Sequence, residues 1–192
     1  KVFFDAYARH EDMAYGQLAL VMDRALERQY FTDKELAEMK IVGKKTAVAY
    51  YEQYKDTWLR DIKNEFPIDV MLTLAEGTEL RLNGKLDKVE FLGGGTVRVI
   101  DYKTGQHHSR NEIEGKTKSS DGDYKRQLVF YKLLLEAGTP MKMASGELDF
   151  VEPDKKNDYH KERFIITTVE VEDLKALIYD VAEKITTFAF LG

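Results

Sequence analysis

The chain has 192 residues, of which 43% are hydrophobic and 33% charged, and a formal net charge of −5, a balance typical of a globular protein. It contains no cysteine, which excludes disulfides, thiolate zinc sites, cysteine nucleophiles and cysteine-ligated iron–sulfur clusters and fits a cytoplasmic protein. No apolar run is long enough to span a membrane, and an acidic chain needs a local basic patch to contact nucleic acid.

The first third of the chain has helical periodicity. Apolar residues at helical spacing predict a first helix over about 11–30. The stretch Thr32-Asp33-Lys34-Glu35 has the pattern of a capping box and predicts a second helix that continues to about Ile62. The aromatic residues of this second helix recur at helical spacing: Tyr50, Tyr51, Tyr54 and Trp58. These rings either pack in the core or stack on nucleic-acid bases.

Strand patterns begin near Pro67. Alternation predicts strands over 66–74 and 78–92, and a third strand over 96–103 follows the turn Gly93-Gly94-Gly95. The polar stretch 105–123 is long for a loop, so it is either mobile or functional. The remaining predicted elements are a helix over 123–136, strands over 146–152 and 162–169, and a helix over about 172–190. The order ααβββαββα predicts an α/β (α+β mixed) fold.

The hairpin around the triple glycine has a predictable register. If it turns symmetrically about Gly94, Val89 lies opposite Val99 and Glu90 lies opposite Arg98. One face then carries an apolar pair and the other face carries a pair of opposite charges, which both favour this register.

The same register brings three charged residues to one end of the apolar face. Asp87 lies opposite Asp101, and Lys103 follows two residues later on the same face. Opposed carboxylates repel, so the arrangement favours a divalent cation between them, because Mg²⁺ prefers oxygen ligands and keeps several waters. Lys103 would then reach the attacking water or the developing charge on a phosphate. The alternative is the solvated end of an ordinary hairpin, and a bulge at the glycine turn would break the register.

Three motifs in this part of the chain resemble those of a known family. The stretches "GKLDKVE", "VIDYKTG" and "QLVFYKLLLE" resemble the RecB-type nuclease domains of the PD-(D/E)XK superfamily, which occur at the C-termini of UvrD/Rep-like helicases. The resemblance implies a restriction-endonuclease-like core, with a central mixed sheet flanked by helices. It also implies metal-dependent DNA cleavage by a domain attached to a helicase in DNA repair or recombination.

The resemblance further implies roles for individual residues. Asp87 and Asp101 would bind Mg²⁺ or Mn²⁺, the carbonyl of Tyr102 would add a ligand, and Lys103 would be the catalytic lysine. The family's cysteine cluster is absent, so no iron–sulfur cluster is expected. The chain would be a single domain, 1–192, with a helical part over about 1–64 and a nuclease core over about 65–192. Because the chain does not begin with Met, it is expected to be a fragment of a larger helicase-like protein.

The helix of the third motif adds two further candidates. Gln127 and Tyr131 are four residues apart, on one helical face, and would line the site near the scissile phosphate. For Tyr131 the alternative is an ordinary aromatic residue of the core.

One position departs from the family pattern. Relatives carry an upstream G-x-x-x-H motif whose His is a metal ligand, but Gly16-Gln17-Leu18-Ala19-Leu20 ends in leucine, which cannot bind a metal. Leu20 therefore favours an alternative: a catalytically silent domain that serves as a DNA-binding or structural module of a helicase. Glu65 is a further acidic residue, which either lies near the site or is a surface charge at a helix end.

A local positive cluster follows the third strand. Its members are His107, His108, Lys116, Lys118, Lys125 and Arg126. On an acidic chain, these residues form either an edge that guides DNA or a solvated loop.

Overall fold

The structure is a computed structural model that describes residues 30–73, 77 and 79–187 and a few positions between 20 and 28. Most of the predicted first helix, and residues 188–190 of the predicted last helix, lie outside the described residues. The elements are α1 (Asp33–Tyr54), β1 (Ile62–Thr73), β2 (Glu79–Gly93), β3 (Thr96–Lys103), α2 (Arg110–Ile113), α3 (Asp123–Gly138), β4 (Lys142–Phe150), β5 (His160–Phe164) and α4 (Thr168–Thr186). Within these ranges, none of the helices has the length and apolar character that crossing a membrane requires.

The five strands form one mixed sheet in the order β1-β2-β3-β4-β5. Strands β1, β2 and β3 form an antiparallel meander, β4 pairs parallel to β3, and β5 returns antiparallel to β4. Helix α3 makes the crossover between the two parallel strands. The predicted mixed sheet with flanking helices is therefore confirmed. Because β3 and β4 are parallel, their carboxyl ends meet at one edge of the sheet, where α/β folds commonly carry a site.

Helix α1 begins at the predicted capping box and ends earlier than expected. Thr32 and Glu35 make both reciprocal hydrogen bonds of the box. The predicted end at Ile62 was wrong, since the helix stops at Tyr54 and Ile62 pairs with Glu90 in the sheet. The amide and the hydroxyl of Thr57 both donate to the carbonyl of Tyr54, at 2.9 and 2.8 Å, so a tight turn follows the last helical residue.

The later elements begin earlier than the sequence pattern suggested. Strand β4 begins at Lys142 rather than at 146 because Lys142 already pairs with Thr96 of β3. Helix α4 likewise begins at Thr168, behind a capping box formed by Thr167 and Glu170. The polar stretch 105–123 contains the short helix α2, whose Ile113 is fully buried and fastens this segment to the core.

One face of the sheet packs closely on α3. Leu128, Leu134 and Leu135 of this helix are fully buried. A methyl group added to Gly84 of β2 would lie 2.5 Å from Leu134 Cδ1, which is too short for any real contact. Gly84 opens the "GKLDKVE" motif, so its lack of a side chain permits the close approach of helix and sheet.

The other face of the sheet is charged and buried. Lys88 and Glu90 form an ion pair with a distance of 2.8 Å between their charged atoms, and both residues are almost completely buried. Arg98 lies 3.2 Å from Glu90, which confirms the predicted cross-strand pair. Tyr50 and Trp58 are also buried beside this face, so these two rings pack in the interior.

We predict that Gly84→Ala lowers the free energy of unfolding by about 1–3 kcal/mol because the added methyl group collides with Leu134. Urea denaturation measures the change. Asn83→Ala, at the exposed neighbouring position of β2, is the matched control and should have little effect. Equal stability of the two variants would contradict the close packing, and a Gly84→Ala/Leu134→Ala double variant should cost less than the sum of its parts.

Candidate active site

The hairpin that carries the three predicted charges has the expected register near its middle. Val89 pairs with Val99 and Glu90 with Arg98, and the irregularity near the glycine turn lies beyond Phe91. The paired residues end at Lys88–Ile100, so Asp87 is not paired directly with Asp101 as predicted. Instead, the Oδ2 atom of Asp87 accepts a hydrogen bond of 3.0 Å from the amide of Tyr102. This bond fastens Asp87 to the end of β3, beside Asp101.

An irregularity in β1 and β2 orients Asp87. Gly84 faces Leu134 of α3, whereas Lys88 has its ammonium 5.8 Å from the ring centroid of Trp58 on the other side of the sheet. Residues four apart on a regular strand face the same way, so the alternation shifts between them. At this point the pairing of β1 with β2 goes from Asn64–Lys88 directly to Phe66–Leu86, so Glu65 and Asp87 interrupt the regular register.

Glu65 has a left-handed backbone at the irregularity, with φ of 53°. One of the two predictions for Glu65 was a surface charge at a helix end. This prediction was wrong, because Glu65 lies within β1. Its carboxylate pairs with the ammonium of Lys85. Its charge is also close enough to Asp87 to raise the pKa of that carboxyl, so a third acidic residue lies near the two predicted ones.

Four side chains form a closed ring between β3 and α3. The Lys103 Nζ lies 2.6 Å from Asp101 Oδ2 and donates to Gln127 Oε1 at 2.6 Å. The Gln127 Nε2 donates to the Tyr131 hydroxyl at 2.8 Å. That hydroxyl donates to Asp101 Oδ1 at 3.0 Å. The structure therefore brings together four predicted site residues that come from two separate motifs.

Burial sets the protonation behaviour of this ring and its neighbour. Asp101 is only 2% exposed, and partial burial raises the pKa of the Asp87 carboxyl. The Tyr102 amide opposes that rise, while the nearby charges of Asp101 and Glu65 add to it. Burial and the charge of Asp101 also raise the pKa of Tyr131. Tyr131 thus stays a neutral O–H donor to Asp101, which distinguishes it from an ordinary core aromatic.

The donor atoms at this place suit a hard divalent cation. Asp87 and Asp101 have carboxylate oxygens, and Tyr102, the residue after Asp101, would add its backbone carbonyl. Mg²⁺ and Mn²⁺ accept such a set of oxygen donors. Burial, and to a smaller extent the charges of Asp101 and Glu65, raise the pKa of Asp87, and a bound cation would favour its ionised form. In the described part of the chain, no three His, Cys, Asp or Glu side chains converge on one point. Leu20 is 56% exposed in a helical segment and offers no ligand atom.

Acidic neighbours pair with most of the predicted basic cluster. Lys116 pairs with Glu114, and Lys125 lies 2.6 Å from Glu170. Arg126 pairs with Asp123. These local pairs weaken the case for a DNA-guiding edge, because the charge available to phosphate is reduced. His107 lies 3.3 Å from Glu162 and stacks on His160 with ring centroids 4.0 Å apart.

Tyr124 is a site neighbour that the sequence reasoning missed. The ammonium of Lys103 lies 4.8 Å from the centroid of its ring. Tyr124 lies three residues before Gln127 on α3, so helical spacing alone could have placed it on the same face.

The sequence matches the family profile of the PD-(D/E)XK nuclease superfamily over residues 4–191. The chain belongs to this superfamily. The membership confirms the predicted fold class and supports a nuclease-type, hydrolytic function. Nucleases of this superfamily typically use divalent metals, in agreement with the oxygen donors at the end of β3.

Two solved structures are distantly similar to the chain. The crystal structure of SSO0001 has 15% sequence identity and a TM-score of 0.45, and the match covers 92% of this chain and 75% of that one. An exonuclease candidate from Eubacterium rectale has 12% identity and a TM-score of 0.49, with 91% and 67% covered. Likenesses this distant carry no argument about function. A search of curated protein sequences found no match.

We predict that Glu65→Gly is more stable than Glu65→Ala by about 1 kcal/mol, because a left-handed backbone penalises any Cβ. Both variants lack the carboxylate, so the difference between their free energies of unfolding reports the effect of backbone conformation alone. Urea denaturation of both proteins measures it.

Asp69 provides the matched control, since it is an exposed β1 residue that pairs with Arg81 as Glu65 pairs with Lys85. In an ordinary strand, Ala is the more stable substitute. The order of Gly and Ala should therefore reverse between positions 65 and 69. The same order at both positions would contradict the left-handed conformation.

We predict that Asp87→Asn raises the melting temperature of the metal-free protein because it removes one of two neighbouring, poorly solvated carboxylates. Added Mg²⁺ or Mn²⁺ should raise the melting temperature of the wild type by mass action and have much less effect on Asp87→Asn. Asp69→Asn is the control, because Asp69 is an exposed residue of β1 that pairs with Arg81. This variant should respond to metal as the wild type does. An equal metal response in all three proteins would exclude Asp87 as a ligand.

Proposed function

We propose that this domain is a metal-dependent deoxyribonuclease of the RecB type that hydrolyses DNA phosphodiester bonds. The observation that carries the proposal is the ring of Asp101, Lys103, Gln127 and Tyr131 with Asp87 beside it. A carboxylate pair next to a lysine at the carboxyl edge of a sheet suits phosphoryl chemistry, in which charge develops at the phosphate.

In this proposal, each residue has a distinct role. Asp87 and Asp101 hold Mg²⁺ or Mn²⁺ with the carbonyl of Tyr102. When bound, such a cation supplies Lewis-acid chemistry and neutralises charge at the phosphate. Lys103 orients the attacking water or stabilises the charge that develops on the phosphate oxygens. It is held in place by Gln127, whose carbonyl oxygen accepts from its ammonium.

Tyr131 acts behind these groups. Its hydroxyl donates to Asp101 Oδ1, which fixes the plane of the carboxylate and leaves Oδ2 facing Lys103. The hydroxyl receives a hydrogen bond from Gln127 in turn. Helix α3 therefore positions both the acidic and the basic member of the site.

The proposed setting follows from the motif resemblance. The order of "GKLDKVE", "VIDYKTG" and "QLVFYKLLLE" supports a single domain over 1–192, with DNA as substrate. The same resemblance supports attachment to a helicase, in the same chain or complex, in DNA repair or recombination in the cytoplasm.

A second candidate function is a catalytically silent DNA-binding or structural module of a helicase. Leu20 supports it, because leucine stands where the family's upstream motif has a metal-binding His. The charged ring and the neighbouring Asp87 support an active enzyme instead. The two candidates differ in whether DNA is cut, and both permit DNA binding.

We predict that the protein cleaves end-labelled single- or double-stranded DNA in Mg²⁺ or Mn²⁺. Asp101→Ala and Lys103→Ala should each lower the rate by about 100-fold or more. The first removes a metal ligand, and the second removes the ammonium that stabilises charge developing on the phosphate. Gel analysis of the labelled products gives the rates.

Arg81→Ala serves as the control, since Arg81 is an exposed residue of β2 that pairs with Asp69. It should cleave as the wild type does, and thermal denaturation should show that every variant is folded. Absence of metal-dependent cleavage by the wild type, with DNA binding intact, would overturn the enzyme proposal and favour the silent module.

A further inference from the structure

A cavity of about 470 Å³ opens at the start of α3. Tyr124 connects it with the candidate active site, because this residue lines the cavity and its ring also lies 4.8 Å from the ammonium of Lys103. The ammonium lies 2.6 Å from Asp101 in turn. A ligand in the cavity would therefore be one side chain away from the reacting groups.

Two rings form the aromatic part of the cavity lining. Tyr124 and His108 both line it, and their ring centroids lie 5.2 Å apart at an interplanar angle of 63°. Tyr124 also meets Phe150 of β4 edge-on, which fixes the ring against the sheet. The pair is thus a preformed aromatic corner rather than two mobile surface rings.

The polar part of the lining is neutral or acidic apart from His108. It includes two serines and three acidic residues: Ser119, Ser120, Glu112, Asp121 and Asp123. Acidic groups repel a phosphate, whereas carboxylates and hydroxyls accept hydrogen bonds from ring nitrogens and amino groups. The cavity therefore suits an uncharged aromatic heterocycle, and the ammonium of Lys103 suits the phosphate attached to it.

We propose that this cavity is a base-binding subsite of the nuclease. The base of a nucleotide beside the scissile phosphate packs against Tyr124 and His108, while its phosphate lies at Lys103. The inference rests on the proposed function and deepens it. A base in a duplex is stacked and paired, so the subsite takes an unpaired base from a single strand or a frayed end. Every base presents a π-face, so the subsite tolerates any sequence.

The experiment measures binding without cleavage. Fluorescence anisotropy in EDTA compares labelled decathymidylate with an abasic deoxyribose-phosphate strand of the same length. The wild type should bind the thymidylate strand about tenfold more tightly, as expected for stacking on an aromatic side chain. Tyr124→Leu should lose most of this difference, whereas affinity for the abasic strand should stay unchanged.

Two further variants separate stacking from a structural effect. Tyr124→Phe keeps the ring and should keep the preference for bases. His108→Ala should lose part of it, and it tests the subsite even if Tyr124→Leu does not fold. Tyr159→Leu is the control, because Tyr159 packs on Tyr50 and Tyr54 at the other face of the sheet, and it should bind both strands as the wild type does.

The outcomes of the binding and cleavage experiments are distinguishable. Base-dependent binding that requires Tyr124, in a protein that does not cleave DNA, supports the subsite and overturns the nuclease proposal. Cleavage by a protein that binds both strands equally supports the nuclease and overturns the subsite. A base preference that survives in both Tyr124→Leu and His108→Ala also overturns it and assigns Tyr124 to core packing.

Discussion

The structure depends on the burial of one carboxylate. Asp101 is almost completely inaccessible at the end of a central strand, and a buried charge is tolerated only when it is paired and hydrogen-bonded. Lys103 supplies the countercharge from the same strand, and Tyr131 supplies a hydroxyl from α3. Gln127 joins these two partners into one ring. The requirement to satisfy Asp101 therefore fixes the distance and orientation of α3 relative to the sheet.

The packing of α3 meets that requirement. Gly84 leaves room for Leu134, and Gly138 leaves room for Val70 at the far end of the helix, where an added Cβ would lie 2.7 Å from the Val70 side chain. The helix is also the crossover between the parallel strands β3 and β4. One element thus closes the core and supplies the two residues that orient the charged groups. Stability and site geometry depend on the same contacts, so substitutions in the helix face should rarely affect only one of them.

The two faces of the sheet bury different kinds of side chain. The α3 face combines an apolar core with the charged ring at its edge. The opposite face buries Lys88, Glu90 and Asp149. Burial lowers the pKa of Lys88 and raises that of Asp149, while ion pairs with Glu90 and with Lys161 oppose these shifts. A β-strand that is charged on one side and apolar on the other still has the pattern of a simple alternating strand, so the sequence does not reveal that both sides are buried.

Features that depend on neighbours along the chain could be predicted from the sequence alone. They are the capping box at Thr32, the pairing of Val89 with Val99, and the motif order that identified the superfamily. The end of α1, the shift of alternation that orients Asp87, and the place of Tyr124 beside Lys103 were settled by tertiary contacts. Such contacts join elements distant in sequence, as Ile62 with Glu90 shows. Local propensity and periodicity do not specify them, because the free energy that selects them comes from packing.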